Sequence, residues 1–482
     1  FARFFQLFVI IKIMNNYPAL TPKDLPAPPK WWKAVGVGII VTGMAMGTGE
    51  LVMWPNLVIQ YGLAILWFAL VGITLQYFIN QEIARATMAT GESFFTSSGR
   101  LIRWSPLFWL GSVILLYIWP GWASILGTIL AALFGFGHYL WWAWASLALV
   151  LIIVFAGREA YKVLEKSLKI IVPIFVIILF YISYLNLSWP DLVAALKGLF
   201  SFGYWPSGID VNVLLGAIVF AGAGGMLNLC VSLWYRDKGA GMAAFSGKIR
   251  NPINGKPEAV GAIGHTFPLT EPNLKNWRGW LSHLRFDQGM IFWFIGLLTI
   301  TLMSLNAFVV LKPLGITPTG TDLAVILAEI FESQLGFWGG KLYLLMAYLM
   351  LFSVMWTIID ALSRVISDII HTNAQVGPLT KIFAFSRRWS LHHLYYGLIL
   401  LVVFLQAVLL PFSQPLVFLL LSSVLGGFTM ALYTPILLYH NNRRLAKPLR
   451  PGIISNLFLF SAFIFYSVFA AISIWEVAEK IF

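Results

Sequence analysis

Eleven long apolar runs constrain this chain more than any other feature. About 20 mostly apolar residues, at roughly 1.5 Å per helical residue, cross a bilayer core. Runs of that kind fall at 35–60, 62–84, 106–133, 139–157, 169–187, 211–235, 288–311, 340–367, 393–411, 415–439 and 452–476. Lipid offers no partner for backbone N–H and C=O groups, so each run must satisfy them internally, as helix. The chain is 59% hydrophobic and 11% charged, with 21 Trp and 38 Phe, a balance foreign to soluble domains of this length. The expected fold class is an all-α polytopic membrane protein with eleven transmembrane helices.

The net charge of +13 would suit a nucleic-acid partner, but its placement points elsewhere. Of the 32 Lys and Arg residues, all but Lys197, Lys312, Lys341 and Lys480 fall on one side of the alternating spans. Cytoplasmic loops carry such an excess. The asymmetry therefore predicts a cytoplasmic N-terminus, an outside C-terminus, a lipid bilayer as surroundings and no nucleic acid. The single cysteine, Cys230, excludes an internal disulfide framework and a Cys-based metal cage. The chain begins on Phe1 rather than Met, and Phe1 to Met14 reads as an interfacial amphipathic helix.

Two spans are interrupted. In the first, Gly47-Thr48-Gly49-Glu50 sets glycines and a carboxylate inside an apolar run. In the sixth, Ala221-Gly222-Ala223-Gly224-Gly225-Met226-Leu227-Asn228 does the same with glycines and an amide. The breaks lie five spans apart, an odd number, so the second set of five must be inverted relative to the first. Paired interruptions in the halves of an inverted repeat point to a transporter site near the midplane. At about 1.5 Å per residue, Gly47 lies roughly 18 Å from the inner start of its helix and Gly222 roughly 17 Å from the outer start of its own. The breaks can meet.

Glu50 is the leading site residue. Unwinding exposes carbonyls at the negative end of a half-helix, and a carboxylate beside them deepens the attraction for a cation. Burial raises a carboxylate's proton affinity, so Glu50 can exchange a proton for that cation; the plainer alternative is a Glu bonded to loop amides or facing outer water. Asn228 offers an amide oxygen, and freed carbonyls of Ala221 to Gly225 offer more. These are ligands for hard cations, whereas the thioether of Met226 suits softer metals or packing. Glu50 and Asn228 are thus the candidate metal ligands.

Asp360, Arg364 and Asp368 recur every four residues on one face of the eighth helix and can pair i to i+4. They read as a cytoplasmic salt-bridge cluster, alternatively a proton relay or inner gate, which Glu82 and Arg85 could join. Trp277 and Trp280 beside Arg278 read as interfacial anchors, and Asp322 to Gln334 as a short amphipathic helix capping the outer vestibule. Tyr117-Ile118-Trp119-Pro120-Gly121 should kink the third helix. Ser422-Ser423 and Gly426-Gly427 read as a close-packing surface on the tenth. No histidine falls in the core of a predicted helix, so a His-based metal site is not expected. No phosphate-binding glycine loop or nucleophilic triad is present, so neither an ATP-driven pump nor an enzyme is expected.

Several stretches resemble the Nramp divalent-metal transporter family, and more closely its divergent prokaryotic relatives. They are Gly36-Val37-Gly38-Ile39-Ile40-Val41, Gly62, Leu75-Gln76, Thr90-Gly91, the two breaks, and Tyr235-Arg236-Asp237-Lys238-Gly239-Ala240-Gly241-Met242. The resemblance covers roughly 35–440. It implies the inverted-repeat fold of leucine-type transporters, alternating access and proton-coupled metal uptake across a prokaryotic inner membrane. The family's metal motifs are Asp-Pro-Gly-Asn in the first helix and Met-Pro-His in the sixth. Here the first motif's positions hold Gly47, Thr48, Gly49 and Glu50, and the methionine position holds Gly225. Both defining ligands are therefore absent.

The resulting expectation is a secondary transporter moving a small cation, a divalent metal, by proton or ion coupling, with no resident cofactor. A transporter of a small organic solute, or a transport-inactive subunit or sensor, is the alternative. The expected organisation is an N-terminal segment at 1–34, a first half at 35–187, an outer loop at 188–210, a second half at 211–439 with an inner loop at 236–287, and a last helix within 440–482.

Overall fold

The computed structural model describes residues 17–256, 258–315, 323–412 and 415–481. The helix expected at 1–14 lies outside them, as does Asp322. Among the described residues, eleven spans run in chain order, counting the bent first pair as one. Span α1 is Trp31–Ala45 continued by Gly49–Tyr61 with a bend of 44°, followed by α2 (Leu63–Thr90), α3 (Ser105–Phe134), α4 (Tyr139–Ala156) and α5 (Ala160–Asn186). The rest are α6 (Val211–Lys238), α7 (Glu271–Leu311), α8 (Phe337–Gln375), α9 (Leu391–Phe412), α10 (Phe418–Arg443) and α11 (Ile453–Trp475). The expected count and order hold.

Several boundaries extend beyond the apolar runs, for one physical reason. Polar residues can be helical at a span's end wherever other elements cover them. Arg236 and Asp237 fall inside α6, and α8 continues to Gln375. Span α7 begins at Glu271, not at 288, because Trp277, Trp280 and Leu284 bury one face of its first turns. Segment 23–28 covers that face: Leu25 N–H donates to Asn273 Oδ1 (3.0 Å), Asn276 to the Leu25 carbonyl (2.9 Å), and the Trp280 indole to the Pro26 carbonyl (2.8 Å). Trp277 and Trp280 are therefore buried rather than interfacial anchors.

Helix α3 breaks at Ile118–Pro120 as expected, with its second half starting at Gly121. The helix at Leu323–Leu335 packs on α8, on the second half of α3 and on Gly49–Met53, so it covers the break of α1 from that end. The Ser422 hydroxyl donates to the Leu116 carbonyl (2.5 Å), and Gly426 lies against Gly225 so closely that a Cβ on Gly225 would sit 2.6 Å from its backbone. The small-residue face of α10 thus packs closely as expected, and its partners are α3 and the break of α6.

Candidate functional site

The site is assembled from two places where a helix stops being a helix. The first half of α1 ends at Ala45, and a widened turn at Gly49–Met53 starts the second. In α6 regular helix ends at Val219 and resumes through a tight turn at Gly225–Leu229. Gly224 and Gly225 both take left-handed backbone (φ 77° and 80°), a region costly for residues with a Cβ, so the consecutive glycines make this reversal possible. The two breaks touch: a Cβ on Gly49 would lie 2.7 Å from the Phe220 carbonyl oxygen.

Between them lies a small cavity of about 20 Å³, space for a water molecule or a small ion. Gly47, Thr48 and Gly49 line it from α1, Gly222 and Gly224 from α6, and Tyr117 and Trp122 from α3. Of the expected site residues, Ala221, Gly225, Met226, Asn228 and Glu50 are buried nearby without lining it.

The carbonyls of the α6 break are less open than the sequence suggests. Gln76 on α2 lies against Gly222 and plugs the gap. Its Nε2 donates to the carbonyls of Ile218 and Val219 (both 3.1 Å), and its Oε1 accepts from the Ala223 N–H (2.9 Å). The Tyr117 hydroxyl donates to the Gly224 carbonyl, and Tyr433 on α10 to that of Gly225 (3.1 Å). Buried backbone polar groups need partners, and three side chains from three other spans supply them.

Glu50 points elsewhere. It is 1% exposed, and its Oε1 lies 3.1 Å from the Thr299 hydroxyl on α7. That hydroxyl is also within 3.1 Å of the Ile295 and Gly296 carbonyls, and one proton cannot serve all three. Glu50 Oε2 has no partner. Asn228 faces α2, where its Nδ2 donates to Asn80 Oδ1 (2.8 Å), leaving Asn228 Oδ1 and Asn80 Nδ2 unpaired. The two candidate metal ligands thus bond different spans. No cluster of three or more His, Cys, Asp or Glu residues fit for a metal ion occurs among the described residues.

A second polar centre sits at the basic end of the bundle. Asp360 and Arg364 pair i to i+4 as expected (2.6 Å), but Asp368 turns to Arg236 of α6, and Arg364 also pairs with Asp237. Asp360 further accepts from the Trp234 indole (2.9 Å) and the Tyr395 hydroxyl (2.5 Å), and Asp368 from Ser93 (2.7 Å). All five charges are at most 5% exposed. Such a cluster persists only because each charge has an opposite neighbour. Glu82 and Arg85 do not join it. They pair with each other (2.8 Å) while Asn441 donates to Glu82 (3.0 Å), because the end of α2 packs on α10 and on the connection after it.

Asp287, where α7 passes from regular helix into widened turns, is a further residue that sequence reasoning passed over. Its carboxylate accepts from the N–H groups of Gly36 and Gly38 (3.0 and 2.9 Å) and from the Tyr235 hydroxyl (2.8 Å), capping the start of the regular helix in α1.

No protein-family description and no curated protein matches this sequence. Solved structures do. A mutant form of the Eremococcus coleocola manganese transporter is 12% identical, covering 94% of this chain and 89% of its own, with a TM-score of 0.68. The same transporter in complex with an aromatic bis-isothiourea compound is 11% identical over 96% and 90%, with a TM-score of 0.63. Mhp1, a nucleobase-cation-symport-1 family transporter in a closed conformation with bromovinylhydantoin bound, is 12% identical over 97% and 96%, with a TM-score of 0.54. At such identities the likeness concerns the fold: this chain is a polytopic membrane protein built on the broken-helix, inverted-repeat plan of those transporters.

Proposed function

We propose that the chain is a secondary active transporter with its substrate held between the breaks of α1 and α6. One observation carries the reading. Two helices break at membrane depth, the breaks meet around a small cavity, and a buried carboxylate with a free oxygen stands on the adjoining turn. Broken helices are tolerated in a bilayer only where protein or a cavity covers them, and transporters use such places as sites. The structural neighbours, a manganese transporter and a nucleobase-cation symporter, support the same reading. The expected halves at 35–187 and 211–439 would then rock against each other. The Lys and Arg asymmetry favours an N-terminus in the cytoplasm, with the protein in a prokaryotic inner membrane.

The substrate of this reading is a small cation, most simply a divalent metal. The Thr48 hydroxyl and backbone carbonyls are oxygen ligands, and Glu50 is the coupling group that trades a proton for the entering charge. A specific feature favours a second reading, a small organic cation or solute: the cavity is walled by Tyr117, Trp122 and Phe220, and no carboxylate lines it.

Liposomes containing the purified protein distinguish these readings. Under an imposed proton gradient, uptake of Mn²⁺ that is lost in Glu50→Gln supports the metal reading. Uptake of organic cations without Mn²⁺ supports the second. If neither class is bound or moved, and Glu50→Gln behaves as the parent, the transporter reading fails and a sensor on the same scaffold takes its place.

A further inference from the structure

A large open cleft lies away from the breaks, at the basic end of the bundle, between α2, the first turns of α7 and the start of α11. It has a volume of about 750 Å³ and is lined by Arg85, Arg285, Tyr77, Ile453, Ile454 and Ser455, among others. Two features give it the chemistry of an anion site. Among the described residues, exposed Arg285 has no carboxylate partner, while buried Arg85 gives Nε to Glu82 and Nη1 to the Leu449 carbonyl (3.4 Å) and keeps Nη2 free. The wall opposite is the N-terminus of α11, whose first N–H groups have no helical acceptor and carry the positive end of the helix dipole. Glu82 neutralises Arg85 on its inner side, so Arg285 and the helix end supply the net attraction.

The outward flank is apolar. Ile453 and Ile454 are 87% and 67% exposed, the first residues of a helix that enters the membrane. A soluble anion has no use for that flank, whereas a lipid's acyl chains do. Basic pockets between membrane helices on the side rich in Lys and Arg suit acidic headgroups.

We propose that this cleft is a binding site for an anionic phospholipid, its headgroup phosphate between Arg85 and Arg285 at the N-terminus of α11 and its acyl chains along Ile453 and Ile454. The proposal is independent of what the protein transports. Bound lipid would add a link between α11 and α7, since α11 packs on α2 and faces Arg285 of α7 across the cleft.

Native mass spectrometry of the purified protein, exchanged from nanodiscs containing equal phosphatidylglycerol and phosphatidylcholine, tests it. The expected result is preferential retention of one phosphatidylglycerol, reduced at least about fivefold in Arg285→Glu, the size expected for one basic residue near a membrane surface. Arg278→Glu, on the same helix, exposed and paired with Glu271, should retain lipid like the parent. Unbroadened thermal unfolding of both variants shows that they are folded. Equal retention of the two lipids, equal loss in both variants, or displacement of the lipid by excess inorganic phosphate alone would each overturn the proposal.

Discussion

Span α6 carries two polar centres built by opposite means. At its break the structure removes side chains. Gly222, Gly224 and Gly225 leave backbone bare, and neutral groups from α2, α3 and α10 satisfy it. At its end the structure adds charge, with Arg236 and Asp237 locked to Asp360, Arg364 and Asp368 of α8. The first arrangement keeps a space small and electrically quiet except for Glu50 on the adjoining turn. The second fastens two helices together. The difference teaches that one helix can be yielding at mid-length and fixed at its end, and stability measurements should separate the two.

The largest effect is expected at the charged centre. Arg364→Ala strands Asp360 and Asp237 in a buried site, and breaking such a pair from one side costs about 3–5 kcal/mol. Thermal unfolding in detergent should show the greatest loss here; a loss no larger than that of an exposed pair such as Arg278–Glu271 would erase the contrast. Next comes Gly225→Ala, which forces a Cβ into the Gly426 backbone at a left-handed position. A destabilisation of about 1–3 kcal/mol is expected, together with loss of any substrate-induced thermal shift. Gln76→Leu removes one amide but leaves the Ile218 and Val219 carbonyls and the Ala223 N–H without that partner. A loss of roughly 1–3 kcal/mol follows, whereas Gln76→Glu should be as damaging because a carboxylate cannot donate to the two carbonyls. Smallest in stability is Glu50→Gln, near-isosteric and facing only Thr299. Its unfolding midpoint should move little, while proton-coupled uptake in liposomes should vanish. A large drop in stability would reassign Glu50 to the scaffold.

Much of the architecture is legible in the sequence because lipid simplifies the problem. Apolar length fixes the spans, and a glycine-rich interruption in each of two runs fixes the breaks, down to Gly47–Gly49 and Gly222–Gly225. Partner choice is where legibility ends. Spacing on α8 pairs Asp368 with Arg364 as readily as it does Asp360, and only the approach of α6 delivers Arg236 to it. Glu50 and Asn228 lie on facing breaks yet turn to α7 and α2, since a helical residue's direction depends on how its turn is wound. Gln76 gave a signal of its own as the first amide in an apolar run, but one that becomes meaningful only when the gap it fills is known. Trp277 and Trp280 carry the composition of membrane anchors, and the segment that buries them is distant in sequence.

The three hydrogen bonds of Gln76 make α2 a mechanical reporter of the α6 break. An amide is the side chain that can give protons to two carbonyls and take one from an N–H at the same time, so it reads the geometry of all three groups together. If the break swings, α2 must travel with it or surrender these bonds in one step, a threshold of roughly 1.5–4.5 kcal/mol at about 0.5–1.5 kcal/mol per bond. A hinge held in this way does not drift. In the proposed transport cycle it would open when something entering the cavity supplies the difference, with roughly one molecule in ten or fewer open at rest.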